Sequence, residues 1–504
     1  MNWWPMIVCA LVGMGIALLT VPQVLKAAKA GILFQRGQER HHIQQKPVPR
    51  LGGLALAAAF IGVEIFVTFV CPEQHTQTPN RVVVILSSLA MFALGFWDDL
   101  QPLGAKRKLL VQIVIALTVC ALGISIQQFK VPFTSATLDL GGWGVFLTVL
   151  WLVGFTNLIN LIDGADGLAG GICLMLMILL AYVACESGTF ENLVSGMAGA
   201  LLGFLWFNFP PARIYLGDGG AYFLGFQIGL FAIVNSHKGT VFTALAAPLF
   251  VLALPILDAT LAIVRRSLHG LPIFRPDRRH LHHHLLQMGF SRRRVVLSFY
   301  FVTAIFLAMG FAAYWSRGNL IPALLGIATI ILLFCADRLR FSQDWFAVGR
   351  IVGNSLQMRK EVHYAMSLTR WIELEGGRCQ SAEELWPDFV FAAQRLGFSS
   401  VKMTLADGSR IWEPDNGHLP THSVVQLLNG GMGTLELKAH TCCKLGTVPT
   451  PPNQPCERSF CHCVANERVF EIFSDLLAEG WVKAVSGLQN GDLAPLRFDI
   501  RRRR

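Results

Sequence analysis

Charge is what this chain has least of. Asp, Glu, Lys and Arg make up 15% of its 504 residues while hydrophobic residues make up 53%, and the mean hydropathy is +0.50. Soluble domains carry about a quarter of their residues as charges, so the deficit excludes an ordinary soluble protein for most of the length. No Gly-x4-Gly-Lys-Ser/Thr loop occurs, which argues against a P-loop ATPase. The opening Met-Asn-Trp-Trp-Pro has no cationic stretch; a cleaved signal peptide is therefore not expected, and the first apolar segment should be retained.

What is present instead is a series of apolar runs of bilayer length, about 17 to 25 residues each. They fall near 6–22, 54–71, 82–97, 109–125, 143–162, 168–185, 193–208, 221–236, 240–264, 295–315 and 320–336. The connecting segments alternate in charge. Residues 23–53 hold Lys26, Lys29, Arg36, Arg40, Lys46 and Arg50, the stretch after Asp99 holds Lys106, Arg107 and Lys108, and 265–294 holds eight Arg, whereas the intervening loops carry one or two basic residues at most. By the positive-inside rule the basic set is cytoplasmic. The pattern predicts an all-α polytopic membrane protein of about eleven transmembrane helices, N-terminus outside and C-terminus in the cytoplasm. After about residue 340 Glu, Gln, Asp, Pro and Gly rise and the apolar runs shorten. Residues 1–338 therefore read as a membrane domain and 339–504 as a small cytoplasmic α+β domain. Helical patterning at 354–376, 381–396 and 464–487 and strand-like alternation at 400–405 and 433–439 give it a loose likeness to a GAF module.

Ionisable groups at membrane depth usually mark a site. Here Asp98-Asp99 closes one apolar run, Asn157, Asn160, Asp163 and Asp166 edge another, and Asp218 in Gly217-Asp-Gly-Gly220 opens a third. By charge parity all of them share the cytoplasmic face with Lys46, Arg50, Lys108 and the loop 265–294. A transporter would place its polar groups near the midplane; an enzyme joining a cytosolic donor to a lipid acceptor needs the one-sided arrangement. Carboxylates without thiolates nearby favour a hard cation such as Mg2+, with Mn2+ as a substitute. A metal and several cations around carboxylates suit phosphoryl transfer.

Six ordered motifs sharpen this. Lys46-Pro-Val-Pro-Arg50-Leu-Gly-Gly53, Asp98-Asp99, Lys108-Leu-Leu-Val-Gln112, Asn157 to Gly171, Tyr215-Leu-Gly-Asp218-Gly-Gly and Pro276-Asp-Arg-Arg-His280-Leu-His-His-His284 together resemble the polyprenyl-phosphate N-acetylhexosamine-1-phosphate transferases. The likeness covers about residues 5–336. It points to the branch that starts O-antigen, enterobacterial common antigen and teichoic acid linkage units, related to the enzyme of peptidoglycan lipid I synthesis. The resemblance implies attack by undecaprenyl phosphate on the sugar-linked phosphorus of a UDP-N-acetylhexosamine, with Mg2+, giving a lipid diphosphosugar and UMP at the bacterial inner membrane. It makes Asp218 the chief metal ligand, Asp99 a support for metal or lipid phosphate, and Asp98 the base that removes a residual proton from the lipid phosphate. A mechanism without a base stays open, because a phosphate with a second pKa near ~6 is mostly ionised at neutral pH. Asn160, Asp163 and Asp166 match positions lining the nucleoside-diphosphate pocket, with Asn157 beside them. Asn208 matches an amide that meets the nucleotide, and Tyr215 a ring that stacks on uracil. Lys46, Arg50 and Lys108 match cations near the phosphates. His280, His282, His283 and His284 match a histidine motif near pyrophosphate and sugar, with His283 catalytic. Membrane lipids are partners and a homodimer is compatible; nucleic acid is not expected.

Departures and rival readings bear on these roles. Ala221 stands where the related motif has Ser, and the loop Arg279-His-Leu-His-His-His284 lacks the His-x-Glu continuation of the lipid I enzyme, which favours UDP-GlcNAc over UDP-MurNAc-pentapeptide. Asp163 and Asp166 could instead cap the next helix, and Asn157 could merely stabilise its segment end. Lys106 and Arg292 to Arg294 read as topogenic charges at headgroups. In the second domain His440, Cys442, Cys443, Cys456, Cys461, His462 and Cys463 crowd a Pro-rich loop; free thiols are favoured over zinc because the spacing is not that of a standard finger. The tail Arg501 to Arg504 reads as an electrostatic tether to anionic lipid.

Overall fold

The computed structural model describes residues 3–30, 48–70, 80–130, 137–235, 241–268, 285–286, 288–316, 318–338, 362–379, 381–405, 408–413, 422–428, 433–439, 467–489 and 501–503. Lys46, His280, His282, His283, His284 and the Cys/His cluster from His440 to Cys463 lie outside the described residues. The chain falls into two compact units.

The first unit is a helical bundle of α1 (Trp4–Lys29), α2 (Gly52–Val70), α3 (Arg81–Leu100), α4 (Ala105–Ala121), α5 (Gly142–Ile162), α6 (Leu168–Ser187), α7 (Glu191–Asn208), α8 (Gly217–Val234), α9 (Val241–Val251), α10 (Ala253–Leu268), α11 (Arg292–Trp315) and α12 (Ile321–Arg338). Most of the described residues of each apolar run lie on helices. Among the described residues seven helices, α1, α2, α3, α5, α6, α8 and α11, are long and apolar enough to cross a membrane. The run at 240–264 does not form one helix. It breaks after Val251 into α9 and α10, where Pro255 has no N–H to offer the carbonyl four residues back. Between α4 and α5 a short antiparallel ribbon of β1 (Gln128–Lys130) and β2 (Thr137–Asp139) replaces the expected loop.

Helix α8 is the centre of the bundle. Its apolar window is 89% buried, and it packs against α2, α3, α5 and α6. Such packing in a bilayer depends on small residues that let backbones approach. At Gly95 of α3 an added Cβ would lie 2.4 Å from the carbonyl oxygen of Asp218, so only glycine permits this crossing. Phe92 and Phe223 continue the contact edge to face, 6.0 Å between centroids. At the opposite end of α3, Arg81 donates through Nε and Nη2 to Glu64 of α2 at 2.6 and 2.9 Å. Both residues are buried, and the fork of guanidinium on carboxylate satisfies both charges.

The second unit is the expected α+β arrangement. Helices α13 (362–376) and α14 (Ala382–Arg395) precede β3 (Phe398–Leu405), β4 (Gly408–Trp412), β5 (His422–Leu428) and β6 (Gly433–Ala439), and α15 (Glu467–Gln489) and β7 (Arg501–Arg503) follow. The sheet is antiparallel in the order β4-β3-β6-β5-β7. Period-two burial of Val401 and Met403 on β3 and of Leu435 and Leu437 on β6 faces one side of the sheet to Phe389 and Trp481. The basic tail is not wholly a free tether, because Arg501–Arg503 pair with Leu427 to Val425 as an edge strand.

Candidate active site

Four chain segments converge at one end of the bundle. Residues 48–53 lie along 215–216: Tyr215 N–H donates to the Pro49 carbonyl at 2.8 Å, Gly52 N–H to the Tyr215 carbonyl at 2.9 Å, and Gly53 N–H to the Leu216 carbonyl at 3.0 Å. This pairing carries Arg50 to the start of α8. The last turn of α3 brings Asp98 and Asp99, and the first turn of α4 brings Lys108.

Asp98, Lys108 and Asp218 form the polar centre. The Lys108 ammonium pairs with Asp98 Oδ2 and lies 3.5 Å from Asp218 Oδ2. Asp98 Oδ1 accepts from the Leu103 N–H at 2.7 Å, so both of its oxygens are engaged. Its side chain is 1% exposed against 32% for Asp218. Of these two carboxylates, Asp218 is the one that an approaching ligand meets. Asp99 turns elsewhere on the helix: Oδ1 accepts from Asp218 N–H at 2.9 Å and Oδ2 from Gly219 N–H at 2.8 Å.

The turn after α5 supplies the next layer. Asp163 is half-buried at the end of that helix. Burial pushes its carboxyl up to about 7, Arg50 opposes the shift, and the charges of Asp99 and Asp166 add to it. Asp166 is buried and caps no helix. Its Oδ2 accepts from Ala212 N–H at 3.1 Å, and Arg292 Nη1 stands 4.0 Å from the same oxygen. Asn208, also buried, donates through Nδ2 to the Ile214 carbonyl at 2.8 Å. Both side chains therefore brace the turn 209–216 that delivers Tyr215 and Asp218. Tyr215 is half-buried, and its phenol is held above its ordinary range chiefly by burial, with Asp166 adding to the shift. Asn160 is half-buried in the last turn of α5, whereas Asn157, one turn earlier, is exposed and donates to Gln112 Oε1 at 2.7 Å and the Val153 carbonyl at 2.8 Å.

Four residues enter the site in roles the sequence did not suggest. Gln112 orients Asn157. Arg292 reaches Asp166 and Arg293 sits over the Phe209 ring at 5.4 Å, so two of the three arginines read as topogenic have partners within the fold. Tyr300 donates to the Gly167 carbonyl at 2.5 Å, tying α11 to the acidic turn. Only the proximity of these residues to motifs hinted at them, since their partners are far away in sequence.

Among the described residues no group of three or more His, Cys, Asp or Glu side chains closes on a common point. The donor chemistry nonetheless fits Mg2+, which keeps several waters and takes only one or two protein carboxylates plus substrate phosphate. A cation already lies between Asp98 and Asp218, namely the Lys108 ammonium.

Residues 81–236 match glycosyl transferase family 4. A Bacillus subtilis (strain 168) protein described as a probable undecaprenyl-phosphate N-acetylglucosaminyl 1-phosphate transferase is 36% identical over 303 residues, covering 60% of this chain and 82% of that one. A decaprenyl-phosphate N-acetylglucosaminephosphotransferase of Mycobacterium tuberculosis (strain CDC 1551 / Oshkosh) is 31% identical over 335 residues, with coverage of 60% and 82%. A phospho-N-acetylmuramoyl-pentapeptide-transferase of Desulforudis audaxviator (strain MP104C) is 29% identical over 338 residues, with coverage of 62% and 99%.

Proposed function

The chain belongs to the polyprenyl-phosphate hexosamine-1-phosphate transferases of glycosyl transferase family 4, and from that premise we propose that it transfers N-acetylglucosamine-1-phosphate from UDP-GlcNAc to undecaprenyl phosphate. An oxygen of the lipid phosphate attacks the sugar-linked phosphorus, the bond to UMP breaks, and UMP leaves with its electron pair. The product is undecaprenyl diphospho-N-acetylglucosamine, a first membrane intermediate of a cell-envelope polysaccharide.

The observation that carries the reading is the meeting of Asp98, Lys108 and Asp218 at one end of the spans, beside Arg50 and the turn from Asn160 to Asp166. Phosphoryl transfer asks the protein mainly to position groups and to neutralise charge. Asp218 would hold Mg2+ together with water and donor phosphate. When bound, the metal would neutralise charge on the donor pyrophosphate and polarise the reacting phosphorus. Lys108 and Arg50 supply positive charge for the lipid phosphate and the donor. Asp98, paired with Lys108 and closed from solvent, orients that ammonium; a proton-abstracting role would require Lys108 to move away first.

UDP-GlcNAc is favoured because two of the relatives above carry N-acetylglucosamine in their names and because the loop at 279–284 lacks the His-x-Glu continuation. The lipid I-type reaction on UDP-MurNAc-pentapeptide is the second reading, prompted by relatives such as that of Desulforudis audaxviator. A division into a transferase domain, 1–338, and an accessory domain, 339–504, belongs to the same proposal, as do about eleven spans and a site open to the cytoplasm. The test is incubation of the protein in detergent with undecaprenyl phosphate, Mg2+ and a panel of UDP-sugars, reading UMP. Release from UDP-GlcNAc supports the proposal. Release only from UDP-MurNAc-pentapeptide replaces the donor, and no metal-dependent release from any donor overturns the enzyme reading.

A further inference from the structure

The first turn of α8 has a deficit that its own sequence does not repair. A helix opens with four N–H groups lacking intrahelical partners, and the usual remedy is a Ser, Thr, Asp or Asn at the N-cap whose oxygen accepts from the second or third N–H. The N-cap here is Leu216, which makes no side-chain cap. The second and third residues of the helix are Asp218 and Gly219. Their N–H groups go to a residue of another helix, Asp99 of α3, one to each carboxylate oxygen at 2.9 and 2.8 Å.

The glycines around Asp218 make room for this. A Cβ on Gly217 would lie 2.8 Å from Asp99 Oδ2, and one on Gly219 would lie 3.3 Å from it and 3.1 Å from Phe96 N. Gly217 also sits at φ 75°, where other residues are strained. The Gly-Asp-Gly-Gly run thus serves to seat the Asp99 carboxylate at the positive end of the α8 dipole, where an anion is favoured. The Asp218 side chain meanwhile points the other way, toward Lys108.

We propose that Asp99 is not a ligand of the metal but a cap supplied in trans, a positioning residue that fixes the backbone of Asp218. This rests on the proposed reading of Asp218 as the metal ligand. Two adjacent acids then differ in role, since Asp98 faces the charged centre through Lys108 and Asp99 holds the helix that presents the third acid. A cap needs a hydrogen-bond acceptor and tolerates loss of charge, whereas a hard-metal ligand does not.

The discriminating experiment uses the full-length protein in detergent, with Mn2+ as the probe, its free concentration read by electron paramagnetic resonance, and with hydrogen exchange of the peptide spanning 212–225. Asp99→Asn should bind Mn2+ within about threefold of the parent, because its amide oxygen still accepts one N–H, while Asp218→Asn should lose at least about tenfold. Asp99→Ala should speed exchange at 217–220 by about fivefold or more, the scale of losing a cap of ~1 kcal/mol or above, and should release UMP more slowly than Asp99→Asn. If Asp99→Ala does not fold, Gly219→Ala, which crowds the same carboxylate, should show the faster exchange instead. An Asp99→Asn protein that loses Mn2+ as fully as Asp218→Asn, or unchanged exchange in both the Ala variants, overturns the assignment. Failure of the parent to release UMP from any donor would sink the enzyme reading and leave the Mn2+ and exchange results to judge Asp99 separately.

Discussion

At the scale of single residues, three acids within hydrogen-bonding reach of one another's partners have three environments. Asp218 is open and faces Lys108; Asp98 is closed and paired; Asp99 accepts from backbone. Asp218→Asn should therefore leave a folded protein whose UMP release falls about a hundredfold or more, the scale of removing one positioned charge from such a site. Near-parental release at ordinary Mg2+ would remove Asp218 from the metal role. Asp163 carries a different consequence. Burial raises its carboxyl from 3.8 to about 7, so between those values the folded state holds a proton that the unfolded chain has lost. Its contribution to stability is fully present below about 4, falls as pH rises toward 7, and is level beyond. Asp163→Asn should flatten that part of the stability profile, measured as thermal unfolding midpoints from pH 4 to 8; an unchanged slope would show that other groups set it.

At the scale of elements, the hairpin of α2 and α3 is pinned at both ends. At the site, Gly53 of α2 and Gly95 of α3 each let their helix lie against the start of α8. At the far end Glu64 and Arg81 close the pair. Removing one member of a buried ion pair leaves an uncompensated charge and costs about 3 to 5 kcal/mol, whereas replacing both by apolar residues is often near neutral. Arg81→Met should accordingly lower the unfolding midpoint sharply and should slow UMP release through loss of alignment of Asp98 with Asp218. The double variant Glu64→Leu/Arg81→Met should recover most of both. If the double variant is no better than the single one, the pair has a role beyond clamping the hairpin.

For the whole molecule, the basic residues gather in alternate connections, and the proposed reading, through the positive-inside rule, expects the site end of the bundle and the chain after residue 338 on the cytoplasmic side. A reporter that is active only outside the inner membrane, fused after residue 340, should therefore stay dark. A bright fusion would put Arg50, Lys108 and the acidic turn on the wrong side for a nucleotide donor, and with them the proposed reaction.

The sequence alone determined where the helices run and which of their ends are polar. Hydropathy is a local property averaged over neighbours, so the apolar runs landed on helices and Asp98, Asp99, Asp163, Asp166 and Asp218 stood out against them. Alternation likewise marked β3 and β6, while β4, β5 and β7 passed unseen because their residues, such as Gly408-Ser-Arg410 or Arg501 to Arg503, lack a burial pattern of their own and form only against a partner strand. What each polar side chain does was decided by tertiary structure. Asp99 meets its N–H donors 119 and 120 positions along the chain, and Asp166 meets the Ala212 N–H 46 positions along. Residue type and spacing therefore could not tell a helix cap or a loop brace from a ligand. The break at Val251 divides the same way: Pro255 made it readable in principle, but apolar continuity hid it, because hydropathy counts a proline's surface and not its missing donor.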